Sequence, residues 1–261
     1  MNNLALVTGA ASGLGLEFSR LLASDGFNLI VVDYDQPGLA AAKDSLKQDF
    51  NIGIEDFVID LARSGAAETI WSYIGKRKID VLINNAGFGL YGTFAETDWQ
   101  LEESMINLHV LTLTHLTKLV LKDMLERGSG RIMNTSSLAA FQPGPLMSVY
   151  YASKAYILSF SEALAREVKG TGVTVTVLAP GWFKTNFQKT TALNSNVEES
   201  KAKLHTATAE KVADKAYKAM MAGKTLVIPG FKNKLMSLAP NIIPRRVMTS
   251  IIHRIQVNLR K

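Results

Sequence analysis

The segment "LALVTGAASGLGLEF", residues 4–18, decides the fold. A short apolar run is followed at once by a glycine-rich loop, and the loop leads into an apolar pattern of helical period that begins at Leu14. Glycines at 9, 13 and 15 let the backbone turn tightly, and the N–H groups and dipole of the following helix attract a pyrophosphate. The segment therefore predicts a strand, a loop and a helix that bind a dinucleotide. A turn that serves chain reversal alone is the other interpretation.

The same alternation of elements continues to about residue 230. Short runs rich in Val and Ile alternate with longer amphipathic segments, which is typical of strands buried on both faces of a parallel sheet. Strands are predicted at residues 4–8, 28–32, 55–59, 80–84, 131–136, 173–179 and 225–229, and helices at about 14–24, 38–49, 66–76, 99–126, 150–169 and 209–222. The predicted fold class is α/β, a doubly wound seven-stranded parallel sheet flanked by helices. Since no linker or repeat divides the chain, residues 1–261 are predicted to form a single domain.

Composition excludes several classes of protein. The 261 residues are 47% hydrophobic and 20% charged, as expected of an enzyme-sized globular chain. Without cysteine the chain has no disulfide or thiolate site, and its four histidines show no metal spacing, so no metal is predicted. The net charge is +6, but the basic residues are spread along the chain, so nucleic acid is not predicted as a partner. No secretory leader or membrane-spanning run is visible, and a cytoplasmic location is expected.

Acidic and amide side chains follow the predicted strands at the edge where a nucleotide would bind. Asp33 ends the second strand, where a carboxylate can accept both ribose hydroxyls of NAD and repel a 2′-phosphate. Residues 8–15 contain no Lys or Arg to compensate that phosphate, so NAD is favoured and NADP remains possible. Asp35 is the alternative ribose ligand, and either acid could serve only as a helix N-cap. Asp60 and "NNAG" at 84–87 follow the third and fourth strands.

The stretch "SVYYASKAY", residues 148–156, holds three tyrosines around one lysine. A phenol that donates a proton near neutral pH needs a nearby cation. Tyr150 and Lys154 are four residues apart and share a helix face, whereas Tyr151 and Tyr156 lie on other faces. Tyr150 is therefore the candidate acid.

With the glycine loop, "NNAG", a serine ahead of "YYASK" and "PG" after the sixth strand in this order, the chain resembles the short-chain dehydrogenase/reductase family over about residues 1–230. The resemblance implies an NAD(P)-dependent oxidoreductase acting on CH–OH groups, with one Rossmann domain, assembled as a homodimer or homotetramer. It also implies that an Asn, Ser, Tyr and Lys tetrad transfers hydride. Ala140 stands where the family often has glycine, and Ala11 where it often has serine; both are small and leave the tetrad intact.

Residue by residue, the family's YxxxK motif matches Tyr150 and Lys154. Its serine, thirteen residues before the tyrosine, matches Ser137 and not Ser136, and its asparagine matches Asn107, which taken alone could be a buried core amide. Ser137 and Tyr150 are expected to donate to the substrate oxygen, and Asn107 to hold a water. Lys154 and the positive charge of the oxidised nicotinamide are expected to lower the pKa of Tyr150. Besides Tyr150 and Lys154, the implied cofactor contacts are Gly9, Ala11, Ser12, Gly13, Leu14, Gly15, Asp33, Asp60, Leu61, Asn85, Ala86, Gly87, Pro180, Gly181 and Thr185.

Residues that follow strand ends on the substrate side are mostly apolar. They are Leu138, Phe141, Pro143, Met147, Trp182 and Phe187, with a substrate loop at about 183–208. They predict a hydrophobic ketone or secondary alcohol as substrate, although the same residues could be core or dimer contacts. An NADPH-dependent 3-ketoacyl reductase is the alternative enzyme, and a nucleotide-binding regulator without catalysis is the alternative of another class.

The segment at about 231–261 is a basic amphipathic extension whose role the periodicity does not fix. From Pro244 onward the apolar positions 247, 248, 251, 252 and 255 predict a helix with one apolar stripe. This helix could cover its own core or a partner subunit. Peripheral contact with an anionic membrane is the other interpretation and is the less favoured one.

Overall fold

A computed structural model describes residues 3–182 and 207–258. Its seven strands form one parallel sheet in the order β3-β2-β1-β4-β5-β6-β7. The strands are β1 (Leu4–Thr8), β2 (Asn28–Asp33), β3 (Ile54–Val58), β4 (Val81–Asn84), β5 (Gly130–Thr135), β6 (Val173–Leu178) and β7 (Leu226–Val227). The strand order reverses between β1 and β4, and ligands of open α/β sheets bind at such a switch point. The predicted doubly wound seven-stranded sheet is confirmed.

Helices cover both faces of the sheet. They are α1 (Gly13–Ser24), α2 (Gln36–Asp49), α3 (Ala66–Ile74), α4 (Trp99–Ile106), α5 (Leu113–Arg127), α6 (Ser148–Glu167), α7 (Ala209–Met221), α8 (Phe231–Ile242) and α9 (Arg245–Asn258). A π-helical turn, Asn107–Thr112, joins α4 to α5, and a 3₁₀ turn, Leu138–Phe141, follows β5. Among the described helices, none combines the length and apolar character needed to cross a bilayer.

Strand β1 shows how the sheet separates two apolar layers. Ala5 and Val7 point to one face and pack in the cluster that contains residues of α1 and α7. Leu6 points to the other face and packs with residues of α3 and α5. All three are fully buried. A central parallel strand requires this burial on both faces. The packing holds β1 in place, and the glycine loop begins at its end.

Three elements differ from the sequence-based prediction. The long helix predicted at 99–126 is interrupted by the π turn, and the last strand is two residues long instead of the predicted 225–229. Helix α8 was not predicted, because Pro240 lies inside it and a proline normally marks the end of a helix. The helix predicted after Pro244 is confirmed as α9.

Candidate functional site

The glycine loop connects β1 to α1, and its backbone atoms are closely packed. A Cβ atom added to Gly15 would lie 1.9 Å from the carbonyl oxygen of Gly9, so the position admits only glycine. Within the described residues 3–182, the Ser12 side chain makes no capping bond to α1. The first N–H groups of α1 therefore lack a side-chain cap, and this open helix start fits the pyrophosphate of a dinucleotide.

The loop after β4 is tied to the glycine loop. The Thr8 hydroxyl oxygen accepts from the backbone N–H groups of Asn85 and Ala86, at 3.0 and 3.1 Å. In return, Asn85 Nδ2 donates to the carbonyl oxygens of Thr8 and Gly9, at 3.2 and 3.3 Å. The predicted cofactor residues at the ends of β1 and β4 are thus held together at the switch point of the sheet.

The structure separates the two acids after β2. Asp33 Oδ2 accepts from the N–H of Ala11 at 3.0 Å, and its Oδ1 accepts from the N–H of Asp35 at 3.1 Å. Asp35 Oδ1 instead accepts from the N–H of Gly38 at 3.1 Å and caps the start of α2. Asp35 is therefore the N-cap, whereas Asp33 is directed at the glycine loop.

Asp60 and Leu61 follow β3 on the same edge. The exposed Asp60 carboxylate accepts from the N–H of Ala62 at 2.9 Å. The carbonyl oxygen of Leu61 accepts from the hydroxyl of Thr112 at 2.8 Å, so the π turn is attached to this loop.

Tyr150 lies in the first turn of α6 and is partly buried. Its phenol interacts with the Ser137 hydroxyl, whereas the buried Ser136 hydroxyl donates to the carbonyl oxygen of Lys154 at 2.7 Å. The choice of Ser137 over Ser136 therefore agrees with the geometry. Burial raises the pKa of Tyr150 to about 12, and the interaction with Ser137 only partly opposes the rise. The lowering expected from Lys154 and the charge of an oxidised nicotinamide stays a prediction for the complex with cofactor.

Lys154 is 3% exposed and lies on the same side of α6. Its Nζ donates to the carbonyl oxygen of Thr135 at 3.0 Å and lies 5.8 Å from the centroid of the Tyr150 ring. Burial lowers the pKa of Lys154 to about 7, because the charged form loses hydration. Burial is therefore the main cause of the pKa shifts of both Tyr150 and Lys154.

Asn107 is half-buried and begins the π turn. The π turn packs against α6, so Asn107 is on the element that faces the helix of Tyr150 and Lys154. Single π-helical turns inside α-helices occur frequently at functional sites. The sequence pattern gave one continuous helix here and did not indicate this turn.

His109 is a buried residue of the site that the sequence analysis did not select. Its Nε2 accepts from the N–H of Phe88 at 3.3 Å, so the ring proton is on Nδ1 and is donated to the Ser153 hydroxyl at 2.9 Å. Ser153 in turn donates to the carbonyl oxygen of Tyr150 at 2.9 Å. Burial, followed by the charge of Lys154, holds the pKa of His109 well below its usual value. Neutral His109 therefore connects the loop after β4 to the first turn of α6.

Gly87 explains how His109 reaches this position. A Cβ atom on Gly87 would lie 2.7 Å from His109 Nε2 and 3.3 Å from Lys154 Nζ. Only a histidine two positions after Asn107, in an otherwise apolar run, could have signalled the contact from the sequence. The spacing of the four histidines bears only on metal binding and does not indicate this contact.

The predicted substrate residues do not all lie together. Met147 is buried in a cluster with Tyr150 and Tyr151, and Leu138 is buried in the 3₁₀ turn. Phe141 is partly buried and packs against the small core cluster around Ile157. Thr185, Phe187 and residues 183–206 of the predicted substrate loop lie outside the described residues.

Trp182 lies beside a different cavity. It is 41% exposed and lines a cavity of about 630 Å³ together with Gly181 and residues of α1 and α7. Neither Tyr150 nor Ser137 is among the described lining residues of that cavity. The Pro180 carbonyl oxygen accepts from the N–H of Leu138 at 2.9 Å, which ties the turn after β6 to the 3₁₀ turn.

Comparison with known proteins agrees with this arrangement. Residues 3–196 match the family model described as short chain dehydrogenase. The chain is 38% identical over 180 residues to the ketoacyl reductase HetN of Nostoc sp., a match that covers 68% of this chain and 62% of that protein. It is 30% identical over 193 residues to the very-long-chain 3-oxoacyl-CoA reductase of Rattus norvegicus, covering 71% and 61% of the two chains. The chain thus spans about three fifths of the length of these curated relatives.

Among solved structures, a short-chain dehydrogenase from Sphingobium yanoikuyae in complex with NADPH superposes with a TM-score of 0.80 and is 25% identical. The superposition covers 95% of each chain. The strand order, the glycine loop and the family match over residues 3–196 lead to one conclusion. The chain belongs to the short-chain dehydrogenase/reductase family, a family of NAD(P)-dependent oxidoreductases that act on CH–OH groups.

Proposed function

We propose that the chain interconverts a hydrophobic ketone and a secondary alcohol, with NAD(H) as the favoured cofactor. The observation that carries the proposal is the proximity of the Ser137 hydroxyl, which lowers the pKa of Tyr150, to the Tyr150 phenol next to buried Lys154. Two hydroxyl groups that converge beside a buried lysine cost stability, and a site for proton transfer explains why they are there.

The roles of these residues follow from the charge that develops during reduction. As a ketone is reduced, negative charge grows on its oxygen, and O–H donors from Ser137 and Tyr150 stabilise that charge. Tyr150 then gives its proton to the oxygen. Lys154 Nζ, held by the Thr135 carbonyl, keeps a second proton near the phenol, and Asn107 is proposed to hold a water that connects Nζ to solvent. When bound, NAD(P) supplies the hydride in one direction and accepts it in the other.

The residues present fit a dinucleotide at the switch point. The uncapped start of α1 fits the pyrophosphate, and Asp33 is fixed at the edge of the glycine loop, where the adenosine ribose would bind. A 2′-phosphate at this place would meet the Asp33 carboxylate, and residues 8–15 supply no cation to offset it. These features support NAD(H) over NADP(H).

The apolar surroundings of Tyr150 support a lipid-like substrate. Tyr150 and Tyr91 pack against a buried apolar cluster that contains Met147 together with Met248 and Ile252 of α9. A second candidate, reduction of a 3-ketoacyl thioester with NADPH, is favoured by the ketoacyl and 3-oxoacyl-CoA reductases among the relatives.

The experiment follows the absorbance of NADH and NADPH with ketoacyl thioesters, steroid ketones, aliphatic ketones and sugars. We expect the wild type to oxidise NADH with a hydrophobic ketone, and Tyr150→Phe to lose about a thousandfold in kcat while it still binds cofactor. Tyr151→Phe, one residue away, is the matched control and should keep turnover within a few fold.

Each contrary outcome removes a defined part of the proposal. Equal losses in the two tyrosine variants would remove the role of Tyr150. Turnover with NADPH alone would contradict the proposal that Asp33 makes the site prefer NAD(H). It would favour the 3-ketoacyl reductase. Cofactor binding without turnover of any of the tested substrates would favour a nucleotide-binding regulator.

We also propose a homodimer or homotetramer. Leu111 of the π turn and Tyr156 of α6 are 59% and 38% exposed, and the hydroxyl groups of Tyr156 and Thr114 are hydrogen-bonded at 2.9 Å where the two helical segments meet. Large exposed apolar side chains on adjacent helices favour contact with another subunit. Sedimentation equilibrium of the wild type and of Leu111→Ser measures the assembly, and a monomeric wild type would contradict it.

A further inference from the structure

Helix α8 turns its apolar side chains away from the protein. Phe231, Leu235, Leu238 and Ile242 follow each other at spacings of four, three and four residues and so form one stripe along the helix. They are 84%, 64%, 54% and 83% exposed.

The opposite side of α8 is polar and faces inward. Ser237 is buried there and donates to the carbonyl oxygen of Lys234 at 2.8 Å, and Asn233 donates to the carbonyl oxygen of Pro229 at 2.6 Å. An ordinary surface helix has the reverse arrangement, with its apolar stripe toward the core. Among the described residues 3–182 and 207–258 nothing covers the stripe of α8, and it therefore has the composition of a surface that binds a partner.

The charge around the stripe is of one sign. Lys232 and Lys234 are exposed and lie to either side of the stripe by helical position. Helix α9 adds exposed Arg245, Arg246 and Arg254. No Asp or Glu follows Asp214 in the sequence, so neither helix carries a compensating acid. We name the exposed side chains of α8 and α9 the tail surface.

Helix α9 connects the tail surface to the candidate site. Its residues Met248 and Ile252 are buried in a cluster against which Tyr150 packs. The adjoining side of the same helix exposes Val247, Ile251 and Ile255, which are 50%, 38% and 45% exposed. A single helix thus packs beside Tyr150 with one side and extends the exposed apolar area with the next.

We infer that the tail surface binds the surface of an anionic phospholipid bilayer. The apolar stripe would enter the boundary between headgroups and acyl chains, and the lysines and arginines would contact the acidic headgroups, as in interfacial amphipathic helices. A second copy of the chain fits less well, because a symmetric contact would place five basic residues of one tail surface opposite the same five of the other. The inference does not depend on the substrate, but it places Tyr150 next to a source of lipid-like ketones.

The test is co-sedimentation of the full chain with vesicles of phosphatidylcholine alone and of phosphatidylcholine with phosphatidylglycerol. We expect binding to the anionic vesicles only, and weaker binding at high salt because salt screens the charges. Phe231→Ser with Ile242→Ser should reduce partitioning by about tenfold or more. Arg245→Gln with Arg246→Gln should reduce it by about fivefold for each charge removed.

Matched controls come from the far end of α5. Leu125→Ser and Lys122→Gln remove an exposed leucine and an exposed lysine from a helix outside the tail surface, so both should bind vesicles like the wild type. Because the substituted tail residues are exposed, the melting temperature should not change, and thermal unfolding verifies this. Tyr150→Phe should also bind vesicles fully, and this separates the inference from the proposed activity.

Three outcomes would overturn the inference. The first is absence of wild-type binding to anionic vesicles. The second is binding that the tail variants leave unchanged. The third is a lipid-free oligomer that Phe231→Ser with Ile242→Ser dissociates, since the stripe would then belong to a contact between two copies of the chain.

Discussion

Helices α6 and α8 distribute polar and apolar side chains in opposite ways. Helix α6 buries Lys154 and Ser153, and each makes a hydrogen bond to a carbonyl oxygen. Helix α8 exposes Phe231 and Ile242 and buries a serine. Both arrangements cost free energy in an isolated chain, since charge is desolvated in one and apolar area is hydrated in the other. Each therefore marks a place where something else binds, a reacting oxygen beside α6 and an apolar partner beside α8.

The largest expected effect concerns the two serines before the 3₁₀ turn. Ser137→Ala removes the hydroxyl that interacts with Tyr150. The variant should lower kcat by about a hundredfold to a thousandfold, because one donor to the developing charge is lost. Ser136→Ala removes a bond to the Lys154 carbonyl and should mainly lower the melting temperature. Steady-state kinetics and thermal unfolding of both variants check the pair. A larger kinetic loss in Ser136→Ala would reverse the assignment.

The next effect tests whether the buried lysine costs stability. The pKa of Lys154 is about 7 in the folded chain against 10.5 for a free lysine, so between these values the unfolded chain holds a proton that the native chain lacks. The free energy of unfolding should therefore rise with pH in this window, by roughly 2 to 3 kcal/mol between about pH 7 and 9. Below about pH 7 both states are protonated and this contribution no longer changes.

Lys154→Met should lose that part of the pH dependence, and denaturant unfolding at several pH values measures it. Tyr150 opposes the trend only above its ordinary pKa of 10.0, so the window below that value isolates the lysine. Lys122→Met, at an exposed position of α5, should keep the wild-type slope. Parallel curves for wild type and Lys154→Met would show that the lysine is not desolvated.

The sequence predicted much of α6 and little of α8, for physical reasons. Helical spacing alone placed Tyr150 and Lys154 on one face, and the family resemblance selected Ser137; the structure brings all three together. The rise that burial causes in the Tyr150 pKa was not predicted, because the burial of the phenol and of its lysine depends on residues distant in sequence. His109 was missed for the same reason, since its partners Phe88 and Ser153 lie on other elements.

For α8 the difficulty is different. Pro240 lies inside the helix, and a proline in a sequence normally predicts that a helix ends. In addition, an apolar stripe has the same period whether it faces the core or solvent. Only the fold shows that Ser237 is inside and Phe231 outside. The orientation of an amphipathic helix is therefore the property that the sequence least determines here.

A smaller effect concerns cofactor choice at the edge of the glycine loop. Asp33→Asn keeps an oxygen that can accept from the N–H of Ala11 but removes the negative charge. The ratio of kcat/KM for NADPH to that for NADH should rise about fivefold to tenfold, because roughly 1 kcal/mol of repulsion of the 2′-phosphate is removed. Asp35→Asn, which preserves the N-cap of α2, should leave the ratio unchanged. Equal ratios in both variants would show that Asp33 does not face the ribose.

The smallest effect tests how firmly the tail is attached to the site. Gln256 of α9 is buried and its Nε2 donates to the Tyr151 hydroxyl oxygen at 2.9 Å, one residue from the candidate acid. Tyr151→Phe should cost about 1 kcal/mol of unfolding free energy, because the amide loses a partner. Adding Gln256→Leu should recover most of that loss, since two apolar groups then replace the polar pair.

A double-mutant cycle on unfolding free energy measures this coupling, for which we expect about 0.5 to 1 kcal/mol. A coupling of zero would mean that α9 is not docked on α6 in solution. The tail surface would then be free to bind a bilayer without bringing Tyr150 to it. A measurable coupling would show that α9 is docked on α6 through Gln256 and Tyr151, next to the candidate acid Tyr150.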